Sequence, residues 1–500
     1  MSRDRLPVLS CVEAAAAEAA HIGGDGTKAW NLMRKAASAV ARHARSLLPA
    51  APRRTLVIAG RGNNGADAFL TALLVAPRGG RVVCLLADGE PRGETALRAW
   101  RRRKAGVKVT LLKASQAAQA FNQEHDLILD GLFGQGFRPP LSAAHRRILR
   151  LAGRMEAVKV SVDLPSGLSD AGGAAAAFRA DLTVSIGCLK RPLLTAGGAR
   201  AAGRIRVADI GLPLAETEEN AALPALLRPL SRPRDARTDK RHQGRVAIIG
   251  GSDGMPGAAL MNVRAALQSG AALVTAAVPE SVRTAAATAT PEAMWRSFRT
   301  SRSGALATSE AAVLRALCED KDAALAGSGM TPAALPALRP ALARFKGDLV
   351  LDADALRPEL VRALRSRATL TLLPHAGEFL RLTGVRMTTE TGRRWAARLG
   401  AVIVLKGPLT AVTDGRRVTH IPHGGPVLAR GGSGDLLAGM VVSLLSRRRA
   451  LRLGHFEAVE AAVLWHALAA QWLGEARGEE SVRTTELLPG LSPALRSAVR

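Results

Sequence analysis

Near the C-terminal end of the chain, Ala429-Arg430-Gly431-Gly432-Ser433-Gly434-Asp435 leads into an apolar run over 436–442. Three glycines and a serine leave backbone N–H groups bare at the start of a helix. Their geometry, together with the helix dipole, favours an anion there. Asp435 is an odd neighbour for an anion. It is either an ordinary carboxylate in a first helical turn or a base held beside a phosphate. Five earlier stretches carry related chemistry. Gly250-Gly251-Ser252-Asp253-Gly254-Met255-Pro256-Gly257 and Ala326-Gly327-Ser328-Gly329-Met330-Thr331 are glycine-rich, and Leu351-Asp352-Ala353-Asp354-Ala355-Leu356 brings carboxylates. Pro374-His375-Ala376-Gly377-Glu378 brings a histidine that either caps a helix or acts on a ligand. Leu405-Lys406-Gly407-Pro408-Leu409-Thr410 brings a lysine that either pairs with phosphate or ends a strand in solvent. Together they suggest a nucleotide phosphate at residues 431–434 with Asp435 near the reacting oxygen, although no Walker A pattern is present.

A second set of polar loops lies in the first half. Gly60-Arg61-Gly62-Asn63-Asn64-Gly65 has the spacing of a dinucleotide fingerprint, and Asp88 stands where a ribose-binding acid would stand. A Rossmann dehydrogenase is therefore one reading. Asn63 and Asn64, however, add amides that a pyrophosphate turn does not need. Asp130, Asp163 and Ser166 also follow apolar runs. An amide oxygen, a carboxylate and a hydroxyl converging on one crevice make a hard-oxygen cation site, and a carboxylate left over could transfer protons.

These loops need elements to hold them. An amphipathic helix is expected over 27–48. Strands are expected over 55–59, 81–87, 107–112, 126–131, 159–163, 181–186 and 203–208, with helices between most of them. The second half repeats the alternation, with strands over 245–249, 272–278, 323–326, 348–351, 369–373, 401–405, 410–413 and 416–420 and long helices over 434–446 and 455–472. Strand and helix in turn predict parallel, doubly wound sheets of the α/β class. Between the halves, Pro224, Pro229 and Pro233 alternate with Arg and Ser, and no apolar period survives. The expected division is a first domain over 1–222, a linker over 223–240 and a second domain over 241–500.

The totals agree with two globular domains. The chain has 500 residues and is 47% hydrophobic. No apolar run reaches the length of a membrane span, and the first residues lack a signal-peptide core, so a cytoplasmic protein is expected. Cys11, Cys84, Cys188 and Cys318 are far apart, without CxxC spacing, and read as buried thiols. The net charge of +28 fits either nucleic-acid binding or an arginine-rich bias spread over helix faces. Tyrosine is absent and aromatic residues make up 3%, which leaves few stacking platforms, so nucleic acid is not the expected partner.

The N-terminal set resembles the NAD(P)H-hydrate epimerases, the YjeF-like domains of bifunctional NAD(P)H-hydrate repair enzymes. The family's Asn-Asn-Gly-Gly-Asp-Gly appears as Asn63-Asn64-Gly65-Ala66-Asp67-Ala68, and its Leu-Phe-Gly-Thr-Gly as Leu132-Phe133-Gly134-Gln135-Gly136. Its Val-Asp-(Ile/Leu)-Pro-Ser-Gly is matched in full at residues 162–167. Carried over by position, this resemblance implies K+ on Asn64, Asp130 and Ser166. It implies substrate contacts at Asn63, Asn64, Gly65, Ala66 and Asp67, at Gly134, Gln135, Gly136, Phe137, Arg138, Pro139 and Pro140, and at Asp163, with Asp163 as the acid/base.

The C-terminal set resembles the ribokinase-like superfamily, and within it the ADP-dependent NAD(P)H-hydrate dehydratases. The signature is the order Gly-Gly-Ser, Asp-Ala-Asp-Ala-Leu, Pro-His-x-Gly-Glu, Leu-Lys-Gly, Gly-Gly-Ser-Gly-Asp. Met255 stands where the family commonly has Tyr. The resemblance implies two three-layer αβα domains. It places hydrated NADH or NADPH on Ala258, Gly329, His375 and Asp435, and ADP with Mg2+ on Lys406, Gly407, Pro408, Leu409, Thr410 and Gly434. It also implies epimerisation of the R and S hydrates, dehydration of the S epimer with ADP giving AMP and phosphate, and a homo-oligomer. The alternatives are a ribokinase-type small-molecule kinase with a fused YjeF-like binding module, and the dehydrogenase above.

Overall fold

The computed structural model describes residues 3–172, 174–215 and 217–499. The chain forms two compact units, one of Arg5–Ala221 and one of residues 222–499 with residues 3 and 4.

The N-terminal unit is built on seven parallel strands, in the order Lys108–Lys113, Arg81–Leu86, Arg54–Ala59, Leu127–Gly131, Val158–Val162, Leu182–Ile186, Arg204–Ala208. Central strands read as continuous apolar runs because helices cover both faces. Val57 and Ala59 pack under the helices Gly26–Arg45 and Asn63–Val75, while Leu56 and Ile58 point to the opposite layer with Ile148 and Leu149 of Ala143–Gly153. Elements at the start of the chain were not anticipated. The strand Arg5–Leu9 pairs in parallel with Leu189–Lys190, and the helix Cys11–Ile22 follows it. Pro7 and a five-residue length hide the strand, and the helix is so rich in alanine that it shows no clear polar face.

The C-terminal unit carries the parallel strands Met294–Phe298, Leu273–Pro279, Arg245–Ile249, Ala323–Ala326, Asp348–Leu351, Thr369–Leu372 and Ala401–Leu405, in that order. The antiparallel strands Thr410–Thr413 and Val418–Ile421 extend it. Alternate residues feed two layers. Val246, Ile248 and Leu325 face the helices Pro256–Gln268, Ser433–Leu451 and His455–Arg477, and Ala247, Ile249 and Leu351 face Ala311–Cys318 and Leu335–Leu342. Met294–Phe298 escaped the sequence reading because only Phe298 is buried on this edge strand. Residues 223–240 are not a free linker throughout: Pro224–Ser231 forms a 3-10 helix whose Leu226 and Leu227 enter the C-terminal core. An adjacent pair of leucines has no helical period to betray it.

Both units are thus three-layer αβα structures, the α/β class expected. The four cysteines are free and buried. Among the described residues, no helix is long and apolar enough to cross a membrane.

Candidate active sites

In the N-terminal sheet the strand order reverses between Arg54–Ala59 and Leu127–Gly131. Loops leaving the C-terminal ends of these strands part there and open a crevice. It holds a cavity of about 400 Å3. The glycines of the apparent dinucleotide fingerprint serve packing: a Cβ on Gly60 would lie 2.0 Å from the Leu132 carbonyl oxygen, and one on Gly65 would lie 2.1 Å from that of Gly60. Asp88 is engaged by Arg61 at 2.8 Å, with His145 Nε2 at 3.5 Å.

Asn63, Asn64 and Asp67, on the opening turns of Asn63–Val75, line the cavity with Gly134, Gln135, Gly136, Phe137 and Asp163. Gly65 and Ala66 instead face the packed interior, and Arg138, Pro139 and Pro140 lie outside the lining. Asp130 is fully buried at its strand end. It accepts hydrogen bonds from Ser161 Oγ at 3.0 Å, Ser166 N at 2.8 Å and Ser166 Oγ at 2.5 Å. Burial nevertheless pushes its pKa up to about 6, against the pull of those bonds. Asn64 packs its amide on Gly134, where a Cβ would lie 3.2 Å from Asn64 Oδ1, and Asn64 Nδ2 is buried without a partner. Asp130, Ser166 and the Phe133 carbonyl, 3.3 Å from Ser166 Oγ, make a cluster of oxygen donors, and the Asn64 amide stands against Gly134 of the same loop. A buried carboxylate whose pKa has been raised gains from a nearby cation, so these residues fit K+.

Asp163 adopts φ +70, a conformation unusual for a residue with a Cβ. Its Oδ1 accepts hydrogen bonds from Ile186 N at 3.1 Å and from Lys190 Nζ. Lys190 is 2% exposed; burial opposes its charge, but Asp163 holds its pKa above the ordinary value. Asp67 lies in the same cavity with Oδ1 buried and unpartnered. Burial first, then the charges of Glu18 and Asp163, raise its pKa well above the carboxylate range. Glu18 is raised by burial as well and accepts a bond from Gln135 Nε2 at 2.7 Å. Glu18 and Lys190 are the residues that sequence reasoning missed. Both sit on or beside the unanticipated elements at the start of the chain.

In the C-terminal unit the strand order reverses between Arg245–Ile249 and Ala323–Ala326. The expected loops gather at that end. A Cβ on Gly329 would lie 2.7 Å from Ala258 Cβ, which joins those two positions. The helix Ser433–Leu451 follows Gly432, φ +86, with no side-chain cap; Ser433 N donates to the Arg430 carbonyl at 3.3 Å, which leaves the later N–H groups of the first turn to an anion. A Cβ on Gly434 would lie 3.5 Å from Lys406 Nζ and 3.9 Å from Asp352 Oδ2. Lys406 ends its strand not in solvent but in an ion pair: Nζ lies 2.7 Å from Asp352 Oδ1 and 3.7 Å from Glu378 Oε2. Burial opposes its charge, yet Asp352 and Glu378 raise its pKa.

Asp435 stands in the first turn of that helix. Burial and the neighbouring Asp352 push its pKa up to about 6, while the Ser328 hydroxyl and Lys406 act in the opposite sense. Asn262 Nδ2 donates to its backbone oxygen at 2.7 Å. His375 caps the helix Ala376–Thr383, its Nδ1 accepting from Gly377 N at 3.0 Å, and Glu378 Oε2 accepts from His375 N at 2.8 Å. His375 Nε2 lies 3.3 Å from Glu378 Oε1, and 60% of the His375 side chain is exposed. Gly407, Pro408, Leu409 and Thr410 form the turn after Lys406, with Thr410 Oγ1 donating to the Gly407 carbonyl at 3.1 Å. Asp352 and Glu378, both in quoted stretches, had no role assigned from sequence. The separation of 54 positions between Asp352 and Lys406 hides that pair.

A three-layer αβα unit with an uncapped helix start, a half-buried acid and a paired lysine at its switch point is the frame of a phosphoryl-handling enzyme. It is joined to a unit that gathers carboxylates around its own buried lysine. Residues 246–491 match the NAD(P)H-hydrate dehydratase model, and residues 29–192 match the model for the YjeF-related protein N-terminus. A bifunctional NAD(P)H-hydrate repair enzyme of Pyrobaculum aerophilum is 35% identical over 83% of this chain and 85% of its own. The counterpart in Thermosynechococcus vestitus is 31% identical over 98% of each. A solved ADP/ATP-dependent NAD(P)H-hydrate dehydratase from Bacillus subtilis, co-crystallised with ATP/Mg2+, covers 55% of this chain and 98% of its own at 27% identity, with a TM-score of 0.47. The chain belongs to the bifunctional NAD(P)H-hydrate repair enzymes. Its N-terminal half is the epimerase domain and its C-terminal half the dehydratase domain.

Proposed function

We propose that the C-terminal site dehydrates the S hydrate of NADH or NADPH with ADP as phosphoryl donor, and that Asp435 is its base. The observation that carries this is the placement of a carboxylate with a raised pKa in the first turn of an uncapped helix, beside Lys406. Hydroxide is a poor leaving group, so the C6 oxygen must first be converted to a better one. Asp435 takes the C6 hydroxyl proton while that oxygen attacks the terminal phosphorus of ADP, and the bond to AMP breaks. N–H groups at 431–434 and Lys406 stabilise the charge on the transferred group. The ring nitrogen lone pair then expels phosphate from C6, and loss of a C5 proton restores the ring double bond. Mg2+ enters with ADP as part of that substrate. Ala258, Gly329 and His375 border the hydrate, and Gly407, Pro408, Leu409 and Thr410 border the nucleotide.

In the N-terminal site the same ring chemistry inverts C6. Asp67, whose raised pKa keeps a proton on it, supplies that proton as the C6 hydroxyl leaves as water. Water returns to the other face and gives its proton to Asp163, which Lys190 holds as a carboxylate partner. K+ would sit on Asn64, Asp130 and Ser166 and would supply positive charge toward the substrate's phosphates. The reading includes a cytoplasmic homo-oligomer, which light scattering on the purified chain tests.

Supplied with ADP, Mg2+ and the S hydrate alone, the protein should regenerate NADH absorbance. Supplied with the R hydrate alone, it should do so only through the N-terminal site. Asp163→Asn should therefore slow turnover of R and spare S. Equal turnover of both epimers by that variant would refute the assignment of the acid/base.

A further inference from the structure

The helix Ser433–Leu451 has a second charged end. Asp435 sits in its first turn and Arg447 near its last. Twelve helical residues separate them, roughly 18 Å along the axis, so what gathers at Arg447 lies apart from the dehydratase site. A cavity of about 930 Å3 opens there, beside the starts of the strands Arg245–Ile249 and Leu273–Pro279. Arg232, Arg234, Arg237, Arg447 and Arg452 line it against one carboxylate, Asp235. That carboxylate is 3.9 Å from Arg237 and is itself largely exposed.

Arg447 differs from its neighbour in the sequence. Arg448 is neutralised by Asp348 at 2.7 Å. Arg447 is 8% exposed and, among the described residues, has no carboxylate partner. Its Nη1 donates to the Ser269 carbonyl at 2.8 Å and its Nη2 to Gln243 Oε1 at 3.4 Å, while its Nε is buried without a partner. Capping the end of Pro256–Gln268 accounts for the first of these bonds. It does not account for Arg234, which comes to the same point: a Cβ on Gly270 would lie 1.9 Å from Arg447 Nη1 and 3.2 Å from Arg234 Nη2. Burial and the Arg234 charge lower the pKa of Arg447 to about 10, so it stays charged at neutral pH.

Two converging guanidinium groups without a counter-charge repel one another, and an anion between them removes that cost. The guanidinium fork suits phosphate oxygens. The remaining wall is apolar, from Leu451, Trp465, Leu491 and Leu495, and the cavity is far larger than a bare phosphate needs. We propose that this cavity is a second anion site, which binds a nucleotide-class organic phosphate with its phosphates clamped between Arg447 and Arg234 and its ring against the apolar wall.

The test is equilibrium dialysis of ADP, and separately of inorganic pyrophosphate, against the full chain at physiological salt. Arg447→Met tests the buried arm. Arg232→Ala with Arg234→Ala, on exposed residues, guards against a folding defect in that variant. Both changes should remove one bound ADP per chain and weaken pyrophosphate at least tenfold, with turnover of the S hydrate unchanged. The difference is read between variants, so it holds whether or not the dehydratase site itself takes ADP. Unaltered ADP stoichiometry in the double variant would overturn the nucleotide assignment. Unaltered pyrophosphate binding as well would overturn the anion site.

Discussion

The two active sites share one device in two states. Each has a lysine at or just past a strand end, paired with a carboxylate and surrounded by further acids: Lys190 with Asp163, Asp67 and Glu18, and Lys406 with Asp352, Glu378 and Asp435. Lys190 has 2% of its side chain exposed, deep in the wall of the crevice. Lys406 has 19% exposed and faces an uncapped helix start. A sealed lysine can only fix the charge of its neighbours. A lysine at a rim can also meet an incoming phosphate. The same residue type is thus enclosed beside a carboxylate in one domain and set at a rim that suits an incoming phosphate in the other.

The most severe break should come from Asp435→Asn. It removes the proposed base and should lower S-hydrate turnover by about 10²–10⁴-fold, as read by NADH regeneration, while epimer exchange followed by NMR continues. A variant that keeps wild-type turnover would end the comparison, because the C-terminal acid would then be a helix-end carboxylate and no more.

Next come the lysines. Lys190→Met leaves Asp163 buried without its cation and should cost about 3–5 kcal/mol of stability, measured by urea unfolding. Lys406→Met loses a more exposed ion pair, so its thermodynamic cost should be smaller; its main effect should be a rise of roughly tenfold in the KM for ADP, the worth of one charge-assisted hydrogen bond. If the two variants lose equal stability and neither changes the KM, the distinction between sealed and rim lysines fails.

The pH profiles should diverge in a way that sharpens the same contrast. As the proposed base Asp435 would act as a carboxylate, and burial with Asp352 raises its pKa to about 6, so dehydratase turnover should fall as pH drops through about 6. As the proposed acid Asp67 would act in its protonated form, and burial with Glu18 raises its pKa, so epimerase turnover should fall at the alkaline side as that proton is lost. Stability follows the same sign for both. Groups with raised pKa values in the fold contribute most when protonated, and that contribution fades as pH rises through the raised values.

Much of this could be read from the sequence, and the limits have physical causes. Parallel strands covered on both faces must be apolar throughout, so Arg54–Ala59 and Ala401–Leu405 stood out, as did the glycine loops behind them. Asp163 and Asp435 follow such landmarks directly. Lys190 does not: its partner lies 27 residues away, and only the pairing of Leu189–Lys190 with Arg5–Leu9 fixes its place. Glu18 reaches Gln135 across 117 residues from an alanine-rich helix. Partnerships across such separations are set by the sheet order, which no local pattern carries. The residues 223–240 show the converse, because proline and arginine signal a loop while two leucines anchor it in the core.

The smallest effect expected concerns Ala68, where the family loop has glycine. Ala68 is fully buried, and a Cβ on Gly131 would lie 2.5 Å from its methyl group. That methyl therefore fills the contact between the helix Asn63–Val75 and the strand Leu127–Gly131, where Gly131 makes room for it, and it does not line the cavity. Ala68→Gly removes a buried methyl and loosens a helix interior. It should cost about 1–2 kcal/mol, seen as a lower urea midpoint, and leave epimerase turnover of the R hydrate within about twofold. A larger change in turnover at unchanged stability would mean that the methyl shapes the crevice, and that the N-terminal site is tuned by its helix packing as well as by the charges around Lys190.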